Sequence, residues 1–400
     1  MRKINVSRAA AGALDVLCRG NDSPAGSRRP VSGSLLAAAM VVVLGLAGAA
    51  PAMANTAPSM ITNGNDVNIA FQGANHSLLF FWAVNGTATW HKQTVAGTGT
   101  AFSAPSMIPD GKDVSIAVEG ANHSLLFFWK VNGSSTWHKG TVAAAGTAFS
   151  APSITTDGND VNIAVEGANH SLLFFWKVNG SSTWHKQTVV GSGDAFSAFS
   201  APSMTTNGAD VNIAAEGPNG SLNFYSGVSG SGTWTAEQVA DTGTTSSAPS
   251  MTTNGADVNI AAEGASNSLD FYWEVSGTGA WNAEQVAGEV TTVTAPSITT
   301  DGNDVNITAE SANGGLDFYW AVNGTATWNP EQVAGTDTTG SAPSMTTNGN
   351  DVNIAASGFN GGLDFYWAVN GTATWNPEQV APPGTVGQRA PNRSWERQPR

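Results

Sequence analysis

Only one cysteine, Cys18, occurs among 400 residues. That excludes a disulfide framework and any thiol chemistry after residue 18, so stability must come from burial alone. Cys18 also precedes the main apolar run, whereas a lipoprotein cysteine would follow it. Basic residues are scarce as well: 16 Lys and Arg face 30 Asp and Glu, for a net charge of −14. Nucleic acid and anionic membrane surfaces both call for a basic footprint, and this composition has the opposite. The one long apolar run, residues 35–50, falls short of the roughly 20 residues that span a bilayer. Nucleophile motifs, phosphate-cradling glycine loops and EF-hand loops are absent, and nothing calls for a cofactor.

What residues 1–54 do contain reads as an export signal. Arg2, Lys3, Arg8, Arg19, Arg28 and Arg29 precede the apolar run, and Ala52-Met53-Ala54 follows it. Positive, hydrophobic and small-residue regions in that order predict cleavage after Ala54 and a secreted chain with no membrane insertion. The leader takes six cations and two anions with it, leaving ten against twenty-eight, a formal charge of −18. Neutral sugars and proteins remain as partner classes.

From residue 57 the chain is repetitive. APS starts fall at Ala57, Ala104, Ala151, Ala201, Ala248, Ala295 and Ala342, so seven copies with a spacing of 47 residues (50 once) adjoin without a linker. Each copy carries an NG or DG turn, then DVNI or a close variant, then an aromatic run and a Trp. A period in this range marks a repeat architecture. Within a copy the hydrophobic period is two: Val258, Ile260 and Ala262 alternate with Asn259 and Ala261, and Leu269, Phe271 and Trp273 with Asp270 and Tyr272. Turn residues separate the runs, and Pro377 inside the last run predicts an edge strand. Four short antiparallel strands per copy predict an all-β fold, a seven-bladed β-propeller over residues 55–381. A solenoid or an open array of small sheets would leave apolar faces uncovered, which ring closure avoids. Residues 382–400, rich in Pro, Gly and Arg, are expected to form a disordered tail.

Two groups of copies differ in chemistry. The first three read TWHK, placing Trp90, His91 and Lys92, Trp137, His138 and Lys139, and Trp184, His185 and Lys186 in line. The last three read WNAEQV or WNPEQV, with Trp281 and Glu284, Trp328 and Glu331, and Trp375 and Glu378. Indoles pack on the C–H faces of sugar rings while amides, ammonium groups and carboxylates bond hydroxyls, which makes these residues the candidate ligand-binding set. The competing role for the outer Trp residues is core. The third-strand Trp residues (Trp82, Trp129, Trp176, Trp273, Trp320 and Trp367) share a face with Leu and Phe and are expected to be largely buried. The fourth copy has Ser226 at that position and is expected to hold the weakest site. Paired histidines fifteen residues apart supply no third ligand and so predict no metal site. Carboxylates recur in every copy without one distinguished pair, so no catalytic residue is expected.

The layout resembles the seven-bladed β-propeller lectins of the Photorhabdus type. The resemblance rests on the APS start, DVNIAVEG at 160–167, Asn169-His170-Ser171-Leu172, Asn179-Gly180 and Trp184, and it covers all seven copies. The third strand reads FFWK or FYWA where that family has a His-Lys-Trp-Trp run, so binding residues are not carried over one for one. The resemblance implies a lectin that binds fucose-like sugars in pockets between blades. The leading expectation is a secreted, multivalent carbohydrate-binding propeller, its partners glycans or glycoconjugates. The alternatives are a scaffold for a surface protein partner and, behind it, a glycan hydrolase.

Overall fold

The computed structural model describes residues 56–386, apart from turn positions 65, 85–86, 111–112, 132–133, 256, 276–277, 303, 350 and 370. The expected export signal with Cys18, and residues 387–400 of the expected tail, lie outside the described residues.

Each copy folds locally because its turn residues fit tight reversals. Gly208, for example, takes φ +65 between the first two strands of the fourth blade, a conformation that suits glycine. The resulting strands in the first blade are Ser59–Asn63, Asp66–Gln72, Leu78–Val84 and His91–Ala96. In the fifth they are Ser250–Asn254, Asp257–Glu263, Leu269–Val275 and Asn282–Ala287. Seven such four-stranded antiparallel sheets follow one another in simple sequence order, the seven-bladed propeller that the repeat predicts. The outer strand of every blade skips one residue in register against the third, a bulge that falls at Val95 in the first blade and Val286 in the fifth. Pro330 and Pro377 both lie in outer strands, where a missing N–H removes nothing from the ladder on the open side.

Alternation sends successive side chains into different junctions, and both faces of each blade are buried. In the fifth blade Leu269 and Phe271 pack against Ile298, Val305 and Ile307 of the sixth. Tyr272, from the opposite face, packs against Ala214, Leu222 and Phe224 of the fourth. Fully burying one such aromatic side chain contributes about 1.5–3 kcal/mol. The seventh blade meets the first in the same way: Ala355, Leu363 and Phe365 cluster with Met60, Phe71 and Phe81. Met60 N donates to Ser344 Oγ at 3.0 Å, repeating the bond from Met345 N to Ser297 Oγ one junction earlier. The ring closes by packing, with every blade built from its own contiguous strands.

The chain does not leave the fold at Ala381, where the tail was expected to begin. Gly384 N and Val386 N donate to Asn360 O and Gly361 O of the seventh blade, and Thr385 O accepts from Ala74 N of the first. Val386 is 2% exposed inside the closing junction. These five residues follow the path of an inter-blade connection: Thr292 N likewise donates to Asn267 O, and Ala312 N to Thr291 O. Composition alone pointed to a tail because Pro and Gly dominate this stretch, yet its backbone has partners in both end blades.

Third strands carry one further difference. Asp270, Asp317 and Asp364 replace the buried Leu79, Leu126 and Leu173 of the first three blades. Burial raises the pKa of all three, and that of Asp364 to about 6. A carboxyl whose folded pKa lies above its ordinary value of 3.8 binds its proton more tightly in the folded state. Stability therefore falls as pH rises from that value through about 6.

Two outcomes follow from this architecture. Val386→Ala should lower unfolding free energy by about 2 kcal/mol in a denaturant titration, whereas the same change at the exposed Val322 should have little effect. Asp364→Leu should raise the melting temperature at pH 7 and reduce the rise in melting temperature that the parent shows between pH 7 and pH 5; a variant less stable than the parent at pH 7 would contradict the burial argument.

Candidate functional site

At the mouths of four junctions the third-strand Trp of one blade and the outer-strand Trp of the next lie around a shared Phe, whereas the fourth blade has Ser226 in place of its third-strand Trp. Between blades five and six, Phe271 stacks on Trp273 at 5.5 Å and meets Trp328 edge-on at 5.3 Å. Phe80 is flanked likewise by Trp82 and Trp137, Phe127 by Trp129 and Trp184, and Phe174 by Trp176 and Trp234. All of these indoles are half-buried. The third-strand set was expected to be largely buried. It does pack on Phe, but the strand ends two residues later at an exposed valine, so each indole edge reaches the cleft mouth.

Strand alternation also rearranges the candidate binding set. Trp90 packs into the junction with blade seven, against Phe365, while its neighbour His91 stacks on Trp82 at 5.2 Å in the junction with blade two. His138 and His185 stack on Trp129 and Trp176 in the same fashion, away from Trp137 and Trp184. Lys92, Lys139 and Lys186 return to the face of their own outer Trp, over Phe81, Phe128 and Phe175 at 5.7–5.9 Å. Each Trp-His-Lys run therefore serves two adjacent clefts. The Trp-to-Glu spacing of three divides in the same way, because an odd offset along a strand changes face.

The glutamates are consequently partners of the next blade's indole. Trp328 Nε1 donates to Glu284 Oε2 at 3.1 Å, Trp375 Nε1 to Glu331 Oε2 at 3.1 Å, and Trp90 Nε1 to Glu378 Oε2 at 2.9 Å across the closing junction. Glu331 and Glu378 each hold a second indole with Oε1, from Trp320 at 3.0 Å and Trp367 at 3.1 Å. Glu237 accepts from Trp281, and Gln93 Oε1 takes the corresponding role for Trp137 at 3.1 Å. The residue three beyond the outer Trp is thus a junction clamp in most of the ring.

Two elements that sequence reasoning passed over complete the clefts. One is the residue after the third-strand Trp. Lys130 inserts among Phe80, Trp82 and Trp137, its Nζ 4.2–5.1 Å from the ring centres, and Lys177 lies similarly among Phe127, Trp129 and Trp184. Burial lowers the Lys130 pKa. Blade five puts Glu274 at this position, beside Glu237 and Asp210 in the cleft that Ser226 opens between blades four and five. The other is the second-strand asparagine, which pairs in register with the third-strand Trp, or with Ser226 in the fourth blade: Asn212 lines that cleft, and the amide nitrogens of Asn212, Asn259, Asn306 and Asn353 are buried without a protein acceptor. Both signals were present in the sequence, one as the residue directly after the Trp and the other as the residue between the two apolar positions of the DVNI run.

The clefts differ in size: about 100 Å³ between blades five and six, 270 Å³ between four and five, and 480 Å³ between two and three. The fourth-blade cavity, expected to be weakest for want of an indole, is therefore not the smallest. Among the described residues no group of three or more His, Cys, Asp or Glu could hold a metal ion. Also among them, no helix is long and apolar enough to cross a membrane.

Glu331→Ala, which leaves two indole N–H groups without their acceptor, should lower unfolding free energy by roughly 1–3 kcal/mol. Chemical denaturation followed by tryptophan fluorescence measures this; an unchanged midpoint would mean that the clamp contributes nothing to the junction.

No family model and no curated protein matches the chain. Among solved structures, the BP39L lectin from Burkholderia pseudomallei superposes with a TM-score of 0.75 at 18% identity, over 82% of this chain and 100% of that one. The β-propeller domain of the Trilobed protease from Pyrococcus furiosus, which has an open velcro topology, gives 0.51 at 11% identity over 82% and 98%. A prolyl endopeptidase gives 0.55 at 12% identity over 82% of this chain and 50% of that one. At these identities the likeness is one of fold, and it does not single out the Photorhabdus type. The chain is a seven-bladed β-propeller similar in fold to a known lectin.

Proposed function

We propose that this chain is a secreted carbohydrate-binding propeller that engages neutral or fucose-like glycans in the clefts between its blades. The observation that carries this reading is the pair of half-buried indoles, one from each of two adjacent blades, at the cleft mouths. A pyranose presents an apolar C–H face to such a surface, and the flanking carboxylate, amide and ammonium groups supply both acceptors and donors for its hydroxyls. Most of the candidate residues stand at these mouths: Trp90, Trp137, Trp184, Trp281, Trp328 and Trp375 as stacking platforms, with Glu284, Glu331 and Glu378 as acceptors already oriented by an indole. Fold likeness to a lectin supports the reading as well. Repetition around a ring suits multivalent capture, in which several weak contacts to one glycan-covered surface add to a tight one. Export through residues 1–54 places the ring where such surfaces are found.

A glycan array probed with the purified protein tests this reading, with binding expected to be competed away by free monosaccharide. Replacing Trp90, Trp137 and Trp184 together by Ala should abolish one class of array signal and leave another, with circular dichroism unchanged. An array blank for every sugar, with one stoichiometric protein co-purifying instead, would favour the scaffold reading.

A further inference from the structure

The cleft between blades four and five keeps the aromatic corner of its neighbours but reverses the charge beside it. Phe224 and Trp281 meet edge-on at 5.1 Å, as Phe80 and Trp137 do at 5.2 Å and Phe127 and Trp184 at 5.3 Å. In those two other clefts the corner already holds an ammonium group. Lys130 Nζ lies 4.2 Å from the Phe80 ring centre and 5.0 Å from that of Trp137. Lys177 Nζ lies 4.5 and 5.3 Å from Phe127 and Trp184. Blade five has Glu274 in the lysine's place, and Ser226 stands where a third-strand indole flanks the corner elsewhere. Both line a cavity of about 270 Å³, just under the roughly 300 Å³ at which pockets for drug-sized ligands begin.

Three carboxylates line that cavity, Asp210, Glu237 and Glu274, and the described residues around it include no Lys, Arg or His. Residues 187–388 contain none of these three types, so any partner that Glu274 has within blades four to seven is neutral. Glu274 is 2% exposed, and a carboxylate so buried is costly to hold without an opposite charge. Glu237 is less engaged than its counterparts in blades six and seven. Glu331 and Glu378 each accept from two indoles, whereas Glu237 accepts from Trp281 and has Ser226 in place of the second.

A donor borders the same space. Asn212 is 1% exposed, lines the cavity, and has no acceptor for its Nδ2. Asn259 carries the same unmet amide, but it pairs with Trp273 and does not line the cavity of its own cleft. Asn212 pairs instead with Ser226, where no indole stands between it and the opening.

We propose that the cleft between blades four and five binds an amino sugar. Its ammonium group pairs with Glu274 and Glu237 against the Phe224–Trp281 corner, and Asn212 Nδ2 donates to a ring hydroxyl. This rests on the carbohydrate-binding reading and specialises one site within it. A pyranose with a free amine answers all three features at once: carboxylates meet its charge, aromatic rings its cation, and the amide its hydroxyl. A neutral sugar would leave Glu274 without a counter-charge.

Methyl β-glucosaminide, its N-acetyl derivative and methyl β-glucoside differ only in the group at one carbon. They are the probes for titration calorimetry on the full chain at pH 6, where the free amine is protonated. The glucosaminide should bind at one site per chain, at least about tenfold tighter than either neutral glycoside and less tightly in high salt. Glu274→Gln should weaken it at least about tenfold without lowering the melting temperature, since the change removes a buried charge at constant shape. Glu274→Lys, which restores the residue of the two other clefts, should abolish it. Equal affinity for the three glycosides, or full glucosaminide binding by either variant, would overturn the proposal. Cyclohexylamine binding as tightly as the glucosaminide would overturn the assignment to a sugar. Binding of neutral sugars alone would overturn the proposal while leaving the carbohydrate-binding reading intact. An array blank for all sugars, with no glucosaminide binding, would overturn both.

Discussion

Face-to-face packing of one blade on the next is the constraint from which the rest of this structure follows. A four-stranded sheet with Leu and Phe directed to one side and Ile, Val and Tyr or Phe to the other cannot cover either face alone. Stacking covers both, and only closure covers the two ends. Because each blade is a contiguous repeat, no strand exchange among the described residues holds the last blade to the first. The closing junction instead repeats the chemistry of the others, down to the serine hydroxyl that accepts from Met60 N and the glutamate that accepts from Trp90 Nε1. Residues 382–386 add the backbone bonds that a further connection would have made.

The fold was legible because it is written seven times. Period-two alternation, turn residues at fixed offsets and a constant spacing all point to the same blade, and a proline in the outer strand marks the edge. The site was legible only in part. Trp and Glu three residues apart look like neighbours on the page, yet along a strand an odd offset places them on opposite faces. Glu284 consequently belongs with Trp328 and not with Trp281. That could have been read from the same alternation that identified the strands. What could not be read is which blade supplies the other wall of each cleft, since that depends on the direction in which blades stack. The packed residues beyond Ala381 were missed because composition reports side chains, whereas this segment is held largely through backbone groups.

The indole–glutamate clamp also sets limits on where binding chemistry can reside. A carboxylate that already accepts two indole N–H groups, as Glu331 and Glu378 do, is fixed in position and has less capacity left for a hydroxyl. Such a residue pre-orients both aromatic walls and so lowers the ordering cost of binding, even where it touches the ligand little. Stability and recognition are therefore drawn from the same side chains at these junctions. A cleft gains space where it gives up a clamp side chain, as at Gly140, or an indole, as at Ser226.

The second blade shows how a repeat protein can do that at one junction alone. Loss of the clamp side chain at Gly140 and shortening of the floor residue at Ser115 both enlarge the same cavity, and neither reaches another junction. The aromatic trio and the inserted Lys177 remain, so the walls keep their packing while the mouth opens. Six near-copies around the ring supply the stiffness that one altered cleft no longer contributes. In a ring of identical blades every site must share one compromise between clamp and cavity. Divergence at two positions of one copy relaxes that compromise locally, which is how sequence asymmetry within a symmetric fold becomes a difference in what each cleft can hold.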